Sequence, residues 1–213
     1  MKRAYKFKLN PTYKQQRQLL QAFGCARFIY NWGLDKKINL YKEQKKSLSY
    51  IDLAKELTLL KKNEEYKWLR DVPNECLQQS LRNLDSAYTR FFKEKKGFPK
   101  FKSKKNCKDS AKYTQAIYFD FDNWKVKIPK CGWIKLCKNK TFDLSKCKTG
   151  TLTVSRDKCG EFWCSISVDD REELKPKTKV SESKTIGIDL GIKDFATLSD
   201  GTKISNMKFY EKA

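Results

Sequence analysis

The stretch Gly97-Phe98-Pro99-Lys100-Phe101-Lys102-Ser103-Lys104-Lys105 separates two parts of the chain that differ in hydrophobic periodicity. Before it, apolar residues recur at helical spacing, and after it they alternate with polar residues as they do in strands. Gly97 and Pro99 break both patterns, which indicates a connection between two kinds of structure. The sequence therefore predicts an α+β fold, with helices before this stretch and antiparallel strands after it.

The segment before this stretch has a helical pattern that extends over four turns. Its apolar positions follow the spacing i, i+4, i+7, i+11 and i+14, and they are Leu77, Leu81, Leu84, Tyr88 and Phe91. One face of a single helix carries all of them, so a helix is predicted to start near Pro73. Together with the helices upstream, it is predicted to form a helical bundle over residues 10–96.

Capping residues predict the helices upstream of this one. Asn10 is the predicted N-cap of a first helix, Pro11 lies in its first turn, and Gly24 ends it. A second helix is predicted over residues 25–46. Ser49 is the predicted N-cap of a third helix, because serine accepts a hydrogen bond from a backbone N–H in the first turn.

Short alternating runs follow the connection, at the spacing of an antiparallel β domain. They are Tyr113–Phe119, Trp124–Ile128, Trp133–Leu136, Thr151–Ser155 and Phe162–Val168, with turn residues between them. This pattern predicts a small antiparallel barrel or sandwich over residues 97–169. A polar linker over residues 170–184 comes next. One further run, Tyr5–Leu9, predicts a strand at the start of the chain.

The charge balance predicts a polyanionic partner. The chain of 213 residues has 47 Lys and Arg against 25 Asp and Glu, which gives a formal net charge of +22 and an isoelectric point near 9.6. Between Lys93 and Lys148 there are 17 lysines and five acidic residues, a local excess of +12. Such an excess repels itself in a compact protein, so nucleic acid is the favoured partner. A basic surface without a dedicated partner and binding to a membrane surface are the alternatives.

Targeting signals and cysteines indicate the compartment. No apolar run is long enough to span a bilayer and the N-terminus has no secretory leader, so the protein is predicted to be cytoplasmic, with no membrane partner. Its eight cysteines are then expected to be reduced. None forms a Cys-x-x-Cys pair and the chain has no histidine, so small core residues are a better interpretation than zinc ligands.

The segment from Gly187 to Gly201 carries the carboxylate of greatest chemical interest. Apolar residues surround Asp189, Gly191 follows it, and a return strand comes next, so a strand pair is predicted at Thr185–Leu190 and Phe195–Ser199. RNase H-like folds present their first metal ligand on such a strand, and two-metal phosphodiester cleavage requires carboxylates of this kind.

Two alternatives remain for Asp189. Actin-like ATPases share an Asp-Leu-Gly first strand, but they continue with a hydroxyl residue that contacts phosphate, whereas Ile192 and Lys193 follow here. An ordinary aspartate at the end of a strand is the other alternative. Ile186 and Ile188 are expected to be buried beside Asp189 in a complete sheet. In this chain, where only a strand pair is predicted, Ile186, Ile188 and Leu190 are expected to expose apolar surface.

Four stretches in order resemble the TnpB/OrfB family of insertion-sequence transposon proteins, the relatives of type V CRISPR effectors. Gly187–Gly201 resembles the first RuvC motif of the family. Tyr5–Thr12 with Gly24–Trp32 resembles its N-terminal helix-turn-helix, Val72–Lys93 resembles its next helix, and Gly97–Lys105 resembles the basic stretch that follows. The resemblance is collinear and covers essentially the whole chain.

The resemblance implies a domain organisation. Residues 10–96 would be a helical, helix-turn-helix-like recognition domain, residues 1–9 and 97–169 a wedge-type β-barrel, and residues 185–213 the first strands of a RuvC-like nuclease domain. Asp189 would be its first magnesium ligand and a catalytic residue. The second RuvC motif, the zinc ribbon and the last catalytic aspartate of the family have no match up to Ala213. The nuclease domain is therefore expected to be truncated, with Mg²⁺ as the cofactor of the complete enzyme and no zinc in this chain.

The resemblance also implies guide RNA and target DNA as partners, and a separately encoded C-terminal half as a further one. The residues expected to bind nucleic acid are Arg27, Tyr30, Asn31, Lys95, Lys96, Lys100, Lys102, Lys104 and Lys105. Lysines interleaved with Phe98 and Phe101 suit a phosphate backbone with some stacked bases. A solvated lysine-rich loop is the alternative for this run.

These observations lead to three functional hypotheses. The first is a truncated RNA-guided DNA endonuclease that is inactive by itself. The second is a regulator that binds RNA or DNA without cutting it. The third is an actin-like or other RNase H-fold enzyme of different chemistry, which the absence of a hydroxyl residue after Gly191 disfavours.

Overall fold

A computed structural model describes residues 2–105, 108–137, 148–169, 181 and 185–208. The chain divides into two compact units, Met1–Glu172 and Glu173–Ala213. Within the described residues, no helix is long and apolar enough to cross a membrane.

The first unit begins with a strand and continues with helices. The strand is β1, Lys2–Asn10, and the helices are α1, Tyr13–Gln44, α2, Tyr50–Leu60, a 3-10 helix, Glu64–Asp71, and α3, Asn74–Glu94. Six strands follow: β2, Asp109–Tyr113, β3, Tyr118–Asp120, β4, Lys125–Ile128, β5, Gly132–Leu136, β6, Lys148–Arg156, and β7, Phe162–Asp169. The α+β class is as predicted.

Helix α1 is one continuous helix of 32 residues, so the prediction of two helices separated at Gly24 was wrong. A glycine inside a helix costs only about 1 kcal/mol relative to alanine, and the buried face on both sides of Gly24 outweighs that cost. The N-cap is Thr12 and not Asn10. Thr12 and Gln15 form a capping box in which each side chain accepts a hydrogen bond from the backbone N–H of the other residue.

The other helices begin where their capping residues predict. Ser49 caps α2 through a capping box with Asp52, and α3 starts directly after Pro73. Both were predicted. The 3-10 helix between α2 and α3 was not predicted, and Asn63 caps it by accepting a hydrogen bond from the backbone N–H of Glu65 at 3.0 Å.

The seven strands of the first unit form one antiparallel sheet in the order β2-β6-β7-β1-β5-β4-β3. The N-terminal strand β1 lies near the middle, where it pairs with β7 over eight residues and with the end of β5. Buried and half-buried residues alternate along β7, so one face of the sheet is covered. The predicted run Tyr113–Phe119 is two strands, β2 and β3, because the chain turns at residues 114–117, where Ala116 has a φ of 52°.

The position of β2 and β3 requires the sheet to curve. They are the two edge strands of the sheet, yet only four residues join them, so the end of β2 lies at most ~18 Å from the start of β3. Seven strands in a flat sheet would separate its edges by about 29 Å, because neighbouring strands are about 4.8 Å apart. The sheet therefore bends its two edges toward one another.

Helices and sheet of the first unit share one hydrophobic core, so the connection at Gly97 does not separate two cores. The ring of Phe23 in α1 stacks on the ring of Phe162 in β7, with their centroids 6.3 Å apart. Tyr113 of β2 is completely buried beside Cys76 of α3. The sheet covers the apolar faces of the helices, because a layer of helices or of strands has to bury its apolar face against another layer.

The second unit contains a three-stranded antiparallel sheet in the order β10-β9-β8. Its strands are β8, Ile188–Leu190, β9, Asp194–Leu198, and β10, Lys203–Ser205. The predicted strand pair is present with shifted ends, and β10 was not predicted. Ile186 and Ile188 are 49% and 61% exposed and not buried beside Asp189, because no described residue of this unit covers them. Their exposure, with that of Leu190, is as predicted for the isolated chain.

Candidate nucleic-acid interface

Residues 95–105, here called the basic segment, are attached to the middle of α1. The side chain of Asn31 makes two hydrogen bonds with the backbone of Lys102. The Lys102 N–H donates to Asn31 Oδ1 at 2.8 Å, and Asn31 Nδ2 donates to the Lys102 carbonyl at 2.9 Å. The Lys102 ammonium lies 3.9 Å from the centroid of the Tyr30 ring, a cation–π contact. Lys102 is therefore fixed in both backbone and side chain.

A charged pair connects α1 to β2, the strand that follows the basic segment. Arg27 Nη1 donates to Asp109 Oδ1 at 2.8 Å, and both side chains are largely shielded from solvent. These two residues line a pocket of 190 Å³ together with Lys102, Lys108 and Lys112. The guanidinium is thus used to hold β2 against α1, at one wall of a pocket that is rich in cations.

The three predicted contact residues on α1 therefore face the protein itself. Arg27 binds Asp109, Asn31 binds Lys102, and Tyr30 is only 6% exposed under the Lys102 ammonium. These contacts position the basic segment. Contact of Arg27, Tyr30 and Asn31 with nucleic acid stays a prediction, and the spacing of these residues along the chain does not reveal the pairing with Lys102.

The remaining predicted lysines project from the basic segment into solvent. Those that are exposed are Lys95, Lys96, Lys100, Lys104 and Lys105. Lys95 ends α3 in a left-handed conformation with a φ of 51°, and Pro99 is buried. Because Pro99 and Lys102 are held by the protein, the exposed lysines are carried on an attached backbone.

Aromatic side chains accompany these lysines. Phe98 and Phe101 are 45% and 55% exposed, and they were named from the sequence. The ring of Phe98 contacts those of Tyr88 and Phe91 in α3. Tyr41 and Phe92 are also exposed and line the same pocket as Phe98. They were not predicted, because they belong to two helices whose ends only the fold brings together.

Asp189 is exposed and is the middle residue of β8, where it pairs with Thr197 of β9. Thr197 in turn lies opposite Lys203 of β10, so these three residues follow one another across one face of the small sheet. Gly191 permits the tight turn after β8, since a Cβ there would lie 3.0 Å from the Asp194 carbonyl oxygen. Among the described residues no three His, Cys, Asp or Glu side chains come close enough to share a metal ion. The role of Asp189 as a metal ligand therefore stays a prediction.

Most of the cysteines that the structure describes are core residues. Cys25, Cys76, Cys131 and Cys164 are buried, and Cys137 and Cys159 are exposed. Burial raises the pKa of the Cys164 thiol to about 12 and that of Cys25 to about 11, which keeps both protonated and poor metal ligands at neutral pH. Cys107 and Cys147 lie outside the described residues.

Three comparisons with known proteins bear on this geometry. Residues 1–46 match the model of a helix-turn-helix domain of the OrfB IS605 type, although these residues form β1 and a continuous α1 here. The chain is 33% identical to a putative RNA-guided DNA endonuclease of Streptomyces pristinaespiralis over 98% of its own length and 50% of the relative. It is also 33% identical, with the same coverage, to the putative RNA-guided DNA endonuclease InsQ of Escherichia coli strain K12.

Two further similarities are shorter or weaker. The virulence protein VsdF of Salmonella dublin is 34% identical over 113 residues, which are 49% of this chain and 95% of that protein. A cryo-EM structure of a CRISPR-Cas12f ternary complex aligns with 94% of this chain and 50% of its own, at 13% identity and a TM-score of 0.46. The chain spans about half the length of the endonuclease relatives that it matches. On the matched domain model and these relatives, the chain belongs to the TnpB/OrfB family of insertion-sequence transposon proteins.

Proposed function

We propose that this chain is the nucleic-acid-binding half of an RNA-guided DNA endonuclease of the TnpB type, with guide RNA and target DNA as its partners. Relatives with 33% identity bear the name of such an endonuclease, and the net charge of +22 suits a polyanion. The chain corresponds on this proposal to the N-terminal half, because the motifs that it resembles come first in the family.

The basic segment is the observation that carries the binding part of the proposal. Its five exposed lysines stand on a backbone that Asn31 and buried Pro99 attach to the protein. A phosphate backbone bound by lysines releases condensed counterions, so the logarithm of affinity falls by about 0.7 to 0.9 per neutralised phosphate for each tenfold rise in salt. An attached backbone limits the entropy that these lysines lose on binding.

A charge-matched pair of variants tests this role. One variant replaces the exposed lysines of the basic segment by glutamine, namely Lys95, Lys96, Lys100, Lys104 and Lys105. The control replaces five exposed lysines elsewhere, namely Lys55, Lys62, Lys67, Lys158 and Lys193. Both lose the same net charge. Filter binding of a structured RNA across a salt series should show a weaker salt dependence and lower affinity for the first variant than for the control. Equal effects of the two variants would contradict the assignment of the interface to the basic segment.

For the nuclease part, we propose Asp189 as the first carboxylate ligand of the complete catalytic site, with Mg²⁺ as its cofactor. Bound Mg²⁺ would stabilise the charge that develops on the scissile phosphate. Strand β8 fixes the backbone of Asp189 through its pairing with β9, and the glycine after it lets the chain turn away. We also propose that the curved sheet of the first unit closes as a wedge-type barrel, and that β8–β10 begin an RNase H-like sheet.

One carboxylate does not suffice for two-metal cleavage, which requires several converging ligands. We therefore propose that these 213 residues do not cleave DNA by themselves and that the other ligands of the site lie outside them. The exposure of Ile188 and Leu190 supports this proposal, because both side chains would be covered when further strands join the small sheet.

A cleavage assay with Mg²⁺ and RNA tests the nuclease part. The chain alone, and the chain with the portion of the Escherichia coli relative that it does not match, are compared with the same pair carrying Asp189→Ala. We expect cleavage only by the pair, and its loss in Asp189→Ala. Cleavage by the chain alone that is lost in Asp189→Ala would contradict the need for ligands outside these 213 residues. A pair that binds RNA and DNA and never cleaves would favour instead a regulator that only binds nucleic acid.

A further inference from the structure

The C-terminal ends of α1 and α3 enclose an open pocket of 570 Å³. Its wall is formed by aromatic side chains, here called the aromatic pocket: Tyr41, Tyr88, Phe91, Phe92 and Phe98. The Phe98 ring stands nearly perpendicular to those of Tyr88 and Phe91, at 86° to each, with centroid distances of 5.6 and 5.3 Å. Phe98 thus packs edge-to-face against both rings, the geometry that aromatic pairs prefer.

The aromatic pocket exposes apolar side chains that are not part of the hydrophobic core. Phe92 is 73% exposed and Tyr41 is 58% exposed, although both lie in regular helices where a polar residue would be compatible with the fold. An apolar patch with a polar rim on a protein surface marks a place where another molecule binds.

The two helix ends that form the rim of the aromatic pocket are rich in basic residues. Residues 36–46 contain five lysines and one glutamate, and residues 90–100 contain five basic residues and one glutamate. Basic residues at a helix C-terminus offset a dipole of only about half an elementary charge, so the dipole does not account for this excess. Lys37 and Lys42 line the pocket itself, and the Lys37 ammonium lies 3.8 Å from Asp85 and 4.8 Å from the Tyr88 ring centroid.

We propose that the aromatic pocket binds unpaired bases of an RNA strand, with the surrounding lysines on its phosphates. Bases stack on aromatic rings through faces that are accessible only when the base is unpaired, and the cations of the rim match a phosphate backbone. An apolar protein segment would contact the rings, but it would leave the basic residues of the rim without a counter-charge. This inference rests on the proposed function, since it assigns a region of the RNA partner to a second site beside the basic segment.

Two substitutions on exposed rings, Phe92→Ala and Tyr41→Ala, test the proposal without removing core residues. Tyr118→Ala is the control, because Tyr118 is 57% exposed on β3, which does not line the aromatic pocket. The probes are fluorescein-labelled oligoadenylate, the DNA oligomer of the same sequence and a fully paired RNA duplex, and fluorescence anisotropy measures their affinities. Thermal unfolding checks that each variant is folded.

We expect Phe92→Ala and Tyr41→Ala each to weaken oligoadenylate binding by on the order of tenfold, because a stacked base is lost and no charge is removed. In both pocket variants, the salt dependence of binding and the affinity for duplex RNA should equal those of the unchanged protein. Tyr118→Ala should bind all three probes with the affinities of the unchanged protein. Unchanged affinity for oligoadenylate in both folded pocket variants, or an equal loss of affinity for duplex RNA, would contradict base binding by the aromatic pocket. Neither result would contradict the proposed function. Tighter binding of the DNA oligomer would overturn the choice of RNA. A protein that binds no nucleic acid at low salt would overturn the proposed function as well.

Discussion

Two glycines of α1 provide a sharp test of the fold, because the structure predicts opposite effects for the same substitution. Apart from the neighbouring residues and the backbone of the helix itself, no atom lies within 4 Å of the position that a Cβ would take at Gly24. At Gly33 a Cβ would lie 2.9 Å from the Leu81 side chain and 3.1 Å from that of Leu84, and both leucines are fully buried. Gly24→Ala and Gly33→Ala therefore differ only in what the added methyl group meets.

The expected changes in the free energy of unfolding follow from these distances. Replacing a helical glycine by alanine stabilises a helix by about 1 kcal/mol, which for a chain of this size raises the melting temperature by about 2 to 4 °C. Gly24→Ala should show this increase. In Gly33→Ala the same gain is opposed by overpacking, which costs about 1 to 3 kcal/mol, so the net effect should be between neutral and a loss of about 2 kcal/mol.

Thermal unfolding followed by circular dichroism measures both variants against the unchanged protein. A clear loss of stability in Gly24→Ala would refute the continuous helix, because alanine is strained at a turn where glycine has a positive φ. It would instead support a helix-turn-helix with a break at Gly24. If Gly33→Ala were as stable as Gly24→Ala, the close packing of α1 on α3 would be refuted.

Three further predictions concern other contacts. Asn31→Ala should speed tryptic cleavage within the basic segment, because it removes both side-chain hydrogen bonds that hold that backbone on α1, and an unchanged cleavage rate would argue against this attachment. Hydrogen bonds from the Trp163 indole and from a backbone N–H lower the pKa of the Asp157 carboxyl, so this aspartate should stabilise the fold at neutral pH and lose that effect as the pH falls through its folded pKa. The stability difference between the unchanged protein and Asp157→Asn, followed by tryptophan fluorescence, should accordingly narrow in acid, and a difference that widens would contradict this. Iodoacetamide should alkylate exposed Cys159 well before buried Cys164, whose pKa of about 12 keeps it a thiol, and mass spectrometry of the native protein would reveal the reverse order if the core were open.

Local signals were sufficient for most of the elements but not for their arrangement. The stripe from Leu77 to Phe91 and the cap at Ser49 predicted α3 and α2, because both signals come from neighbouring residues. The sequence offered no means to place β1 between β5 and β7, since this pairing joins residues more than 120 positions apart. The prediction of a break at Gly24 was wrong for the opposite reason, because burial along the whole helix outweighed a local signal.

The candidate interface was predictable in composition but not in geometry. A run of lysines with Phe98 and Phe101 identified the basic segment. The roles of Asn31 and Tyr30 depend on a contact between residues about 70 positions apart, which periodicity does not reveal. Tyr41 and Phe92 looked like ordinary surface positions until the ends of α1 and α3 were brought together.

Photo-crosslinking of bound RNA, mapped by mass spectrometry, tests most directly where this chain contacts nucleic acid. Ultraviolet light joins a base to a side chain in direct contact, so the measurement reports position and not only affinity. We predict crosslinked peptides from residues 91–105, at Phe98, Phe101 or the exposed lysines beside them, and their loss when high salt releases the RNA. Crosslinks confined to other parts of the chain, with residues 91–105 unmodified under conditions in which RNA is bound, would contradict the proposed interface.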